Sequence, residues 1–208
     1  MKIIRDDSIF PFIAYVPEKL SEHPSLIVQL HGAGERGNGG EDLDRVLVHG
    51  FSKIATDETL KDSILVMPQC PLNSFWVAKI ESINAFIDKM AERFNADENR
   101  IYLCGLSMGG FGTWYTSMAY PDKFAAIVPC CGGGMAWFAD ALKMPIWAFH
   151  GLCDTVVSPS QTIEMADKLK VSNPDFKCTL FEGVGHNSWD KAFVLETLNW
   201  LLSHKKAK

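Results

Sequence analysis

The sequence predicts a doubly wound α/β fold built on a mostly parallel sheet with helices on both faces. Short, β-branched, nearly continuous apolar runs recur from about residue 25 onward, as strands buried on both faces do. Amphipathic segments lie between them, and alternation of this kind with short connections builds such a sheet. A glycine-flanked serine also sits where one apolar run ends and the next helical pattern begins, the arrangement of a sharp strand-to-helix turn. No linker, repeat or low-complexity tract divides the 208 residues, so a single domain over 1–208 is expected.

The elements follow in order. Phe10, Phe12, Ala14 and Val16 alternate before Pro17, which reads as an antiparallel edge strand ahead of the parallel set. Candidate strands are Ser25–Leu30, Ser63–Met67, Arg100–Cys104, Phe124–Pro129, Pro145–Phe149 and Phe176–Phe181. Ile80, Ile83, Phe86, Ile87, Met90 and Phe94 share one helical face. Ser158-Pro159 reads as an N-cap with proline at the first helical position, followed by the stripe Ile163, Ala166 and Leu169. A last helix carries Phe193, Thr197, Trp200 and Leu201 on one side.

Bulk properties exclude several classes. A composition 47% hydrophobic and 22% charged is that of a globular protein. The net charge of -5 argues against a nucleic-acid partner, because phosphate contacts need clustered Lys and Arg. The tail Lys205, Lys206 and Lys208 is the one basic cluster, expected to be a frayed, solvated end. The start has no long apolar run and no cleavage-site pattern, and no apolar stretch reaches the ~18 residues of a membrane span. A cytoplasmic protein is therefore expected. The six cysteines contain no CxxC pair and suit reduced thiols in such a compartment.

The chemistry centres on Gly105-Leu106-Ser107-Met108-Gly109. A nucleophilic serine needs a sharp, strained turn that projects its hydroxyl, and backbone passing close on either side leaves room only for Gly105 and Gly109. Gly110 and Gly112 let the following helix sit tightly on the sheet. Its N-terminus brings partial positive charge to where an oxyanion would form. The hydroxyl needs a base, and where a serine stands at such a turn the acid and the histidine follow in that order, each after a strand. Asp154 comes after the strand ending at Phe149, whereas the preceding loop Pro129–Gly134 has no carboxylate. Asp122, Asp140, Asp175 and Asp190 read as solvated loop carboxylates. Glu182-Gly183-Val184-Gly185-His186 supplies the histidine after the last strand. His31 and His150 end strands in His-Gly pairs, where an imidazole bracing loop backbone is expected. His23, His49 and His204 lie elsewhere. After the strand Leu26–Leu30 comes His31-Gly32-Ala33-Gly34. There the backbone N–H of Ala33, or second of Gly34, would join that of Met108 as the oxyanion donors.

Taken together, Leu30-His31-Gly32-Ala33-Gly34-Glu35-Arg36-Gly37, Pro68-Gln69-Cys70-Pro71, Gly105–Gly112 and Gly185-His186-Asn187-Ser188-Trp189-Asp190 resemble the phospholipase/carboxylesterase and feruloyl-esterase-like branch of the α/β hydrolases. The resemblance runs from about Phe10 to Leu202. It implies an eight-stranded, largely parallel sheet, a triad of Ser107, Asp154 and His186, and no cofactor. Neither a close metal-ligand spacing such as HExxH nor a nucleotide-binding glycine fingerprint occurs, so no metal is expected either. The expected partner is a small-molecule ester, cleaved through an acyl-enzyme. A thioesterase or deacylase, or a non-catalytic binding relative, are the alternatives. The acyl group, the alcohol and the oligomeric state stay open.

Further residues are expected near the site. Gly34, Gln69, Trp76 and Trp189 are candidates for substrate contact. Trp76 reads equally as an aromatic wall for an acyl group or as a core or lid residue. Glu35 and Arg36 are expected to pair and brace the oxyanion loop. Gly132–Lys143 is long enough only for one short helix, with Met135, Trp137 and Phe138 as its buried face. No large lid is therefore expected, and the site should be open and shallow.

Overall fold

A computed structural model describes residues 1–206. Eight strands, β1 (Lys2–Asp7), β2 (Pro11–Val16), β3 (Ser25–Leu30), β4 (Ser63–Pro68), β5 (Ile101–Leu106), β6 (Ala126–Cys130), β7 (Ile146–Gly151) and β8 (Phe176–Phe181), form one sheet in the order β1-β2-β4-β3-β5-β6-β7-β8. β3 through β8 pair in parallel, while β1 on β2 and β2 on β4 are antiparallel. This is the α/β-hydrolase architecture that the motifs imply. The helices are α1 (Asp57–Leu60), α2 (Ile80–Arg93), α3 (Met108–Ala119), α4 (Ser160–Ser172), α5 (Trp189–Ala192) and α6 (Leu195–Leu202).

Alternate residues of each strand feed opposite faces, and this splits the core into two layers. Leu26, Val28 and Leu30 of β3 and Leu103 of β5 pack with Ile83 and Phe86 of α2, Trp114 of α3 and Leu169 of α4. Ile27, Tyr102 and Cys104 face the other way, onto Leu60 of α1, Leu198 and Leu201 of α6, and Leu43 and Phe51 from the segment before α1. All six residues of β3, β4 and β5 are buried, which is why these runs read as continuously apolar.

The structure corrects the reading of the fold at several places. β2 is not the edge strand, because β1 pairs along its whole length from Lys2↔Val16 to Asp7↔Pro11. β1 is mostly exposed and polar (Lys-Ile-Ile-Arg-Asp-Asp). A strand held by ladder hydrogen bonds and solvated on its faces leaves little hydrophobic pattern. The chain between β6 and β7 forms a short 3-10 helix, Ala136–Ala141, and of the three residues expected on its buried face Met135 packs against the core while Trp137 and Phe138 are exposed. Ala139 and Leu142 are buried, while Trp137 is 77% exposed. The last helical stretch breaks at Phe193 into α5 and α6.

The basic tail is tied down, not frayed, as far as Lys206. Tyr102 Oη donates to His204 O at 2.7 Å, Lys205 Nζ to Asp97 Oδ2 at 3.0 Å and Lys206 N–H to Asn99 O at 3.0 Å. Lys208 lies outside the described residues. Among these residues no helix is long and apolar enough to cross a membrane.

Candidate active site

Ser107 lies between β5 and α3 with φ +52 and ψ -117. That left-handed combination is costly for a residue with a side chain and persists only where the surroundings over-determine it. Here Ser107 N–H donates to Cys130 O at 2.9 Å, and Ser107 O accepts from Phe111 N–H at 3.0 Å as the first helical bond. A Cβ on Gly105 would run into Gly109 O, and one on Gly109 into Leu30 O. The glycines on each side of the serine therefore exist because backbone passes within contact distance, as the motif predicts.

Asp154 follows β7 and His186 follows β8, and the sheet brings both to Ser107. Ser107 Oγ lies 2.9 Å from His186 Nε2, and His186 Nδ1 lies 2.7 Å from Asp154 Oδ2. The carboxylate can only accept, so Nδ1 carries the proton and Nε2 is left to accept from the serine hydroxyl. Val156 N–H and Val157 N–H each donate to Asp154 Oδ1 at 2.9 Å. His150 Nε2 stands 3.2 Å from Oδ2. Burial works to raise the Asp154 pKa, but the bonds from His186, Val157 and Val156 outweigh it and hold the carboxyl below its ordinary value.

The loop after β3 is held from behind. His31 is buried, its Nδ1 2.6 Å from Gly32 O and its Nε2 accepting from Cys70 N–H at 2.9 Å. Burial lowers its pKa to about 4, so the ring is neutral, with the proton on Nδ1. Gln69, wholly buried, ties down the next turn. Its Nε2 donates to Glu35 O at 3.1 Å and Asp42 O at 2.8 Å, and its Oε1 accepts from Gly39 N–H at 2.8 Å. Arg36 donates to Ala33 O at 2.9 Å. The expected Glu35–Arg36 pair does not form. Glu35 Oε2 is buried without a hydrogen-bond partner, 3.9 Å from His31 Nδ1.

A cavity of about 270 Å³ opens over Ser107 and His186, lined also by Gly32, Ala33, Gly34, His49, Val156 and Trp189. Ala33 opens a short 3-10 helix (Ala33–Glu35) and Met108 opens α3. A first helical N–H has no intrahelical acceptor and is free for another oxygen.

Two expected substrate contacts fall away. Trp76 is wholly buried, its Nε1–H donating to His31 O at 3.0 Å and its ring edge-on to Phe10 and His31. It is a core residue that backs the loop. Gln69 likewise has no exposed surface, because all its polar atoms serve the turn. Trp189 and Gly34 do line the cavity.

Sequence reasoning misses His49 and Val156 as wall residues. His49 reaches the cavity from a segment without periodicity and packs 5.2 Å from the Trp189 ring, which lies 5.2 Å from that of His186. Cys131 carries no sequence signal either. Its thiol lies with Asp154 and His186 in a group whose nearest potential ligand atoms are within 4.8 Å of one another. The oxygens of Asp154 already accept there from Val156 N–H, Val157 N–H and His186 Nδ1–H.

A family model described as phospholipase/carboxylesterase matches residues 75–199. The chain is 29% identical over 163 residues to a bifunctional acetylxylan esterase/xylanase, XynS20E, of Neocallimastix patriciarum, covering 71% of this chain and 22% of that protein. It is 27% identical over 161 residues to feruloyl esterase B of Neurospora crassa, covering 71% and 49%. The chain thus spans half or less of the length of these two relatives. Among solved structures, a thermostable esterase superimposes with a TM-score of 0.81 at 29% identity, over 99% of this chain and 63% of the other. An acetyl xylan esterase from Aspergillus awamori gives a TM-score of 0.74 at 15% identity, over 96% and 100%, a likeness of fold.

Proposed function

Because the chain belongs to the phospholipase/carboxylesterase family of α/β hydrolases, we propose that it is a serine esterase that cleaves short-chain or aromatic acyl esters through an acyl-enzyme. The observation that carries this reading is the unbroken line Ser107 Oγ–His186 Nε2–His186 Nδ1–Asp154 Oδ2, at 2.9 and 2.7 Å, with the serine on a strained elbow. The relatives named as esterases support the same reaction type.

In this reading Ser107 Oγ attacks the ester carbonyl carbon while His186 Nε2 takes the hydroxyl proton. Asp154, held ionised, keeps His186 in the Nδ1–H tautomer and stabilises the imidazolium that forms. The carbonyl oxygen becomes an oxyanion facing the N–H groups of Met108 and Ala33, which no helical carbonyl claims. Collapse breaks the C–O bond, and the departing alkoxide takes the proton from His186. Water then attacks the acyl-enzyme with His186 as base, releasing the acid and restoring the serine hydroxyl. No step calls for a metal or an organic cofactor.

A cavity of about 270 Å³ lies at the small end of ligand pockets, which run from roughly 300 to 1,000 Å³. Val156, 71% exposed, forms part of its rim. Such a site covers little of a long acyl chain, so each added methylene forgoes much of the ~0.8 kcal/mol that full burial contributes. The six unpaired cysteines support a reducing, cytoplasmic setting. The test is kcat/KM for aryl and alkyl esters from two to sixteen acyl carbons, with feruloyl esters and thioesters alongside. Short or aromatic acyl groups are expected to lead, with no jump when the substrate passes its solubility limit. A steady climb to the longest chains, or thioesters far ahead of esters, would refute the reading.

A further inference from the structure

His150, the last residue but one of β7, is wholly buried. Its Nε2 lies 3.1 Å from Val157 O and 3.2 Å from Asp154 Oδ2, the oxygen that also takes the His186 proton. Its Nδ1 lies 2.7 Å from Thr162 Oγ1, and that hydroxyl is 2.7 Å from Gly132 O. A carbonyl and a carboxylate only accept hydrogen bonds, so the atom facing them must be the protonated one. Nε2 therefore carries the proton; in the neutral ring Nδ1 is left as an acceptor, and the Thr162 hydroxyl, with one proton to give, serves either Nδ1 or Gly132 O. Thr162, fixed between Nδ1 and Gly132 O, holds the plane of the ring. Asp154 accepts hydrogen bonds from Val156 N–H, Val157 N–H and His186 Nδ1–H, and its Oδ2 also lies 3.2 Å from His150 Nε2, so the carboxylate stands between two imidazoles.

We infer that His150 is a positioning residue for the proposed reaction: with its one Nε2–H shared between Val157 O and Asp154 Oδ2, it sets the angle of the carboxylate and the share of its negative charge that His186 feels. Two donors on one oxygen divide its electron density, and the weaker acceptor stabilises the His186 imidazolium less. The titratable groups around this network are Asp154 from the loop after β7, His186 from the loop after β8 and Cys131 from the loop after β6. Burial holds His150 below its ordinary pKa, Asp154 pulls it up and His186 pushes it down. The ring acts as a neutral donor and adds no charge of its own.

The inference rests on the esterase reading, so its test uses two near-isosteric variants and a readout that needs no substrate. His150→Gln keeps an N–H where Nε2 stands, whereas His150→Met removes it at nearly the same volume. In His150→Met the acid limb of the kcat/KM profile should rise by about half a pH unit, kcat should fall with KM unchanged, and the proton resonance of His186 Nδ1–H should move. In His150→Gln the limb and the resonance should stay near the wild type. An unmoved limb and resonance in folded His150→Met, or equal shifts in both variants, would overturn the inference. Nitrogen-15 spectra of the wild-type histidines test the same point independently, because a His150 protonated on Nδ1 alone cannot donate to Asp154. A wild-type protein that hydrolyses no ester sinks the esterase reading, while the nitrogen-15 and His186 proton spectra still decide whether His150 donates to Asp154.

Discussion

Ser107 occupies a backbone conformation with φ +52 that its own side chain disfavours, and two backbone hydrogen bonds keep it there. Strain of this kind is tolerated where it aims a group. Ser107→Ala is expected to fold normally and to retain less than about a thousandth of the wild-type kcat, as triad deletions do. Labelling by an organophosphonate, read by mass spectrometry, should mark Ser107 in the wild type and vanish in the variant. Asp154→Asn tests a subtler point. The amide would present an N–H or a weaker acceptor to His186, favouring the wrong tautomer, and kcat should fall by something like ~10⁴ with the melting temperature little changed. A near-normal rate in Asp154→Asn would remove this residue from the proposed triad.

At the scale of elements, the site depends on loops that are held by buried polar side chains. Gln69 spends both ends of its amide on the turn between Glu35 and Asp42. Gln69→Leu keeps most of the volume but leaves Gly39 N–H and two carbonyls without their partner. The expected cost is about 1–3 kcal/mol for each buried group left unpaired, measured by urea unfolding. Activity should fall in the variant because the turn follows directly on the Ala33 segment. Stability lost without any change in kcat/KM would show that the turn and the oxyanion loop are uncoupled.

The whole molecule carries its acid sensitivity in groups far apart in the chain. His31, neutral in the fold with a pKa of about 4, would titrate near 6.5 when unfolded. The unfolded chain therefore binds a proton that the native one refuses, and the stability this contributes is full above pH 6.5 and is lost as pH falls towards 4. The slope for one proton is about 1.4 kcal/mol per pH unit. Asp97, pushed up by burial but pulled down further by Asn99 N–H, Lys205 and Arg100, adds stability that is present above its unfolded value and disappears in stronger acid. Urea unfolding at a series of pH values should show ΔG falling from pH 6.5 to 4, and His31→Gln should flatten that slope. An unchanged slope in His31→Gln would mean that His31 does not carry the transition.

By itself the sequence determined the α/β class, seven of the eight strands to within a residue or two, the elbow around Ser107 and the order of Asp154 and His186. All of these are written in local terms: a buried strand must be apolar, and a serine pinched between passing backbones needs glycine on both sides. β1 escaped because a strand joined to its neighbour by main-chain bonds leaves no pattern in its side chains. The face of the Ala136–Ala141 helix escaped because the same few apolar residues fit either orientation, and only the packing of Ala139 and Leu142 chose between them. Trp76 and Gln69 lay near the right loops, yet the tertiary structure decided that they brace the site from within, since burial depends on neighbours distant in the chain. For the same reason no local signal marked His49 and Val156 as wall residues or His150 as a partner of Asp154. Distances between loops on different strands exist only once the sheet has brought those loops together.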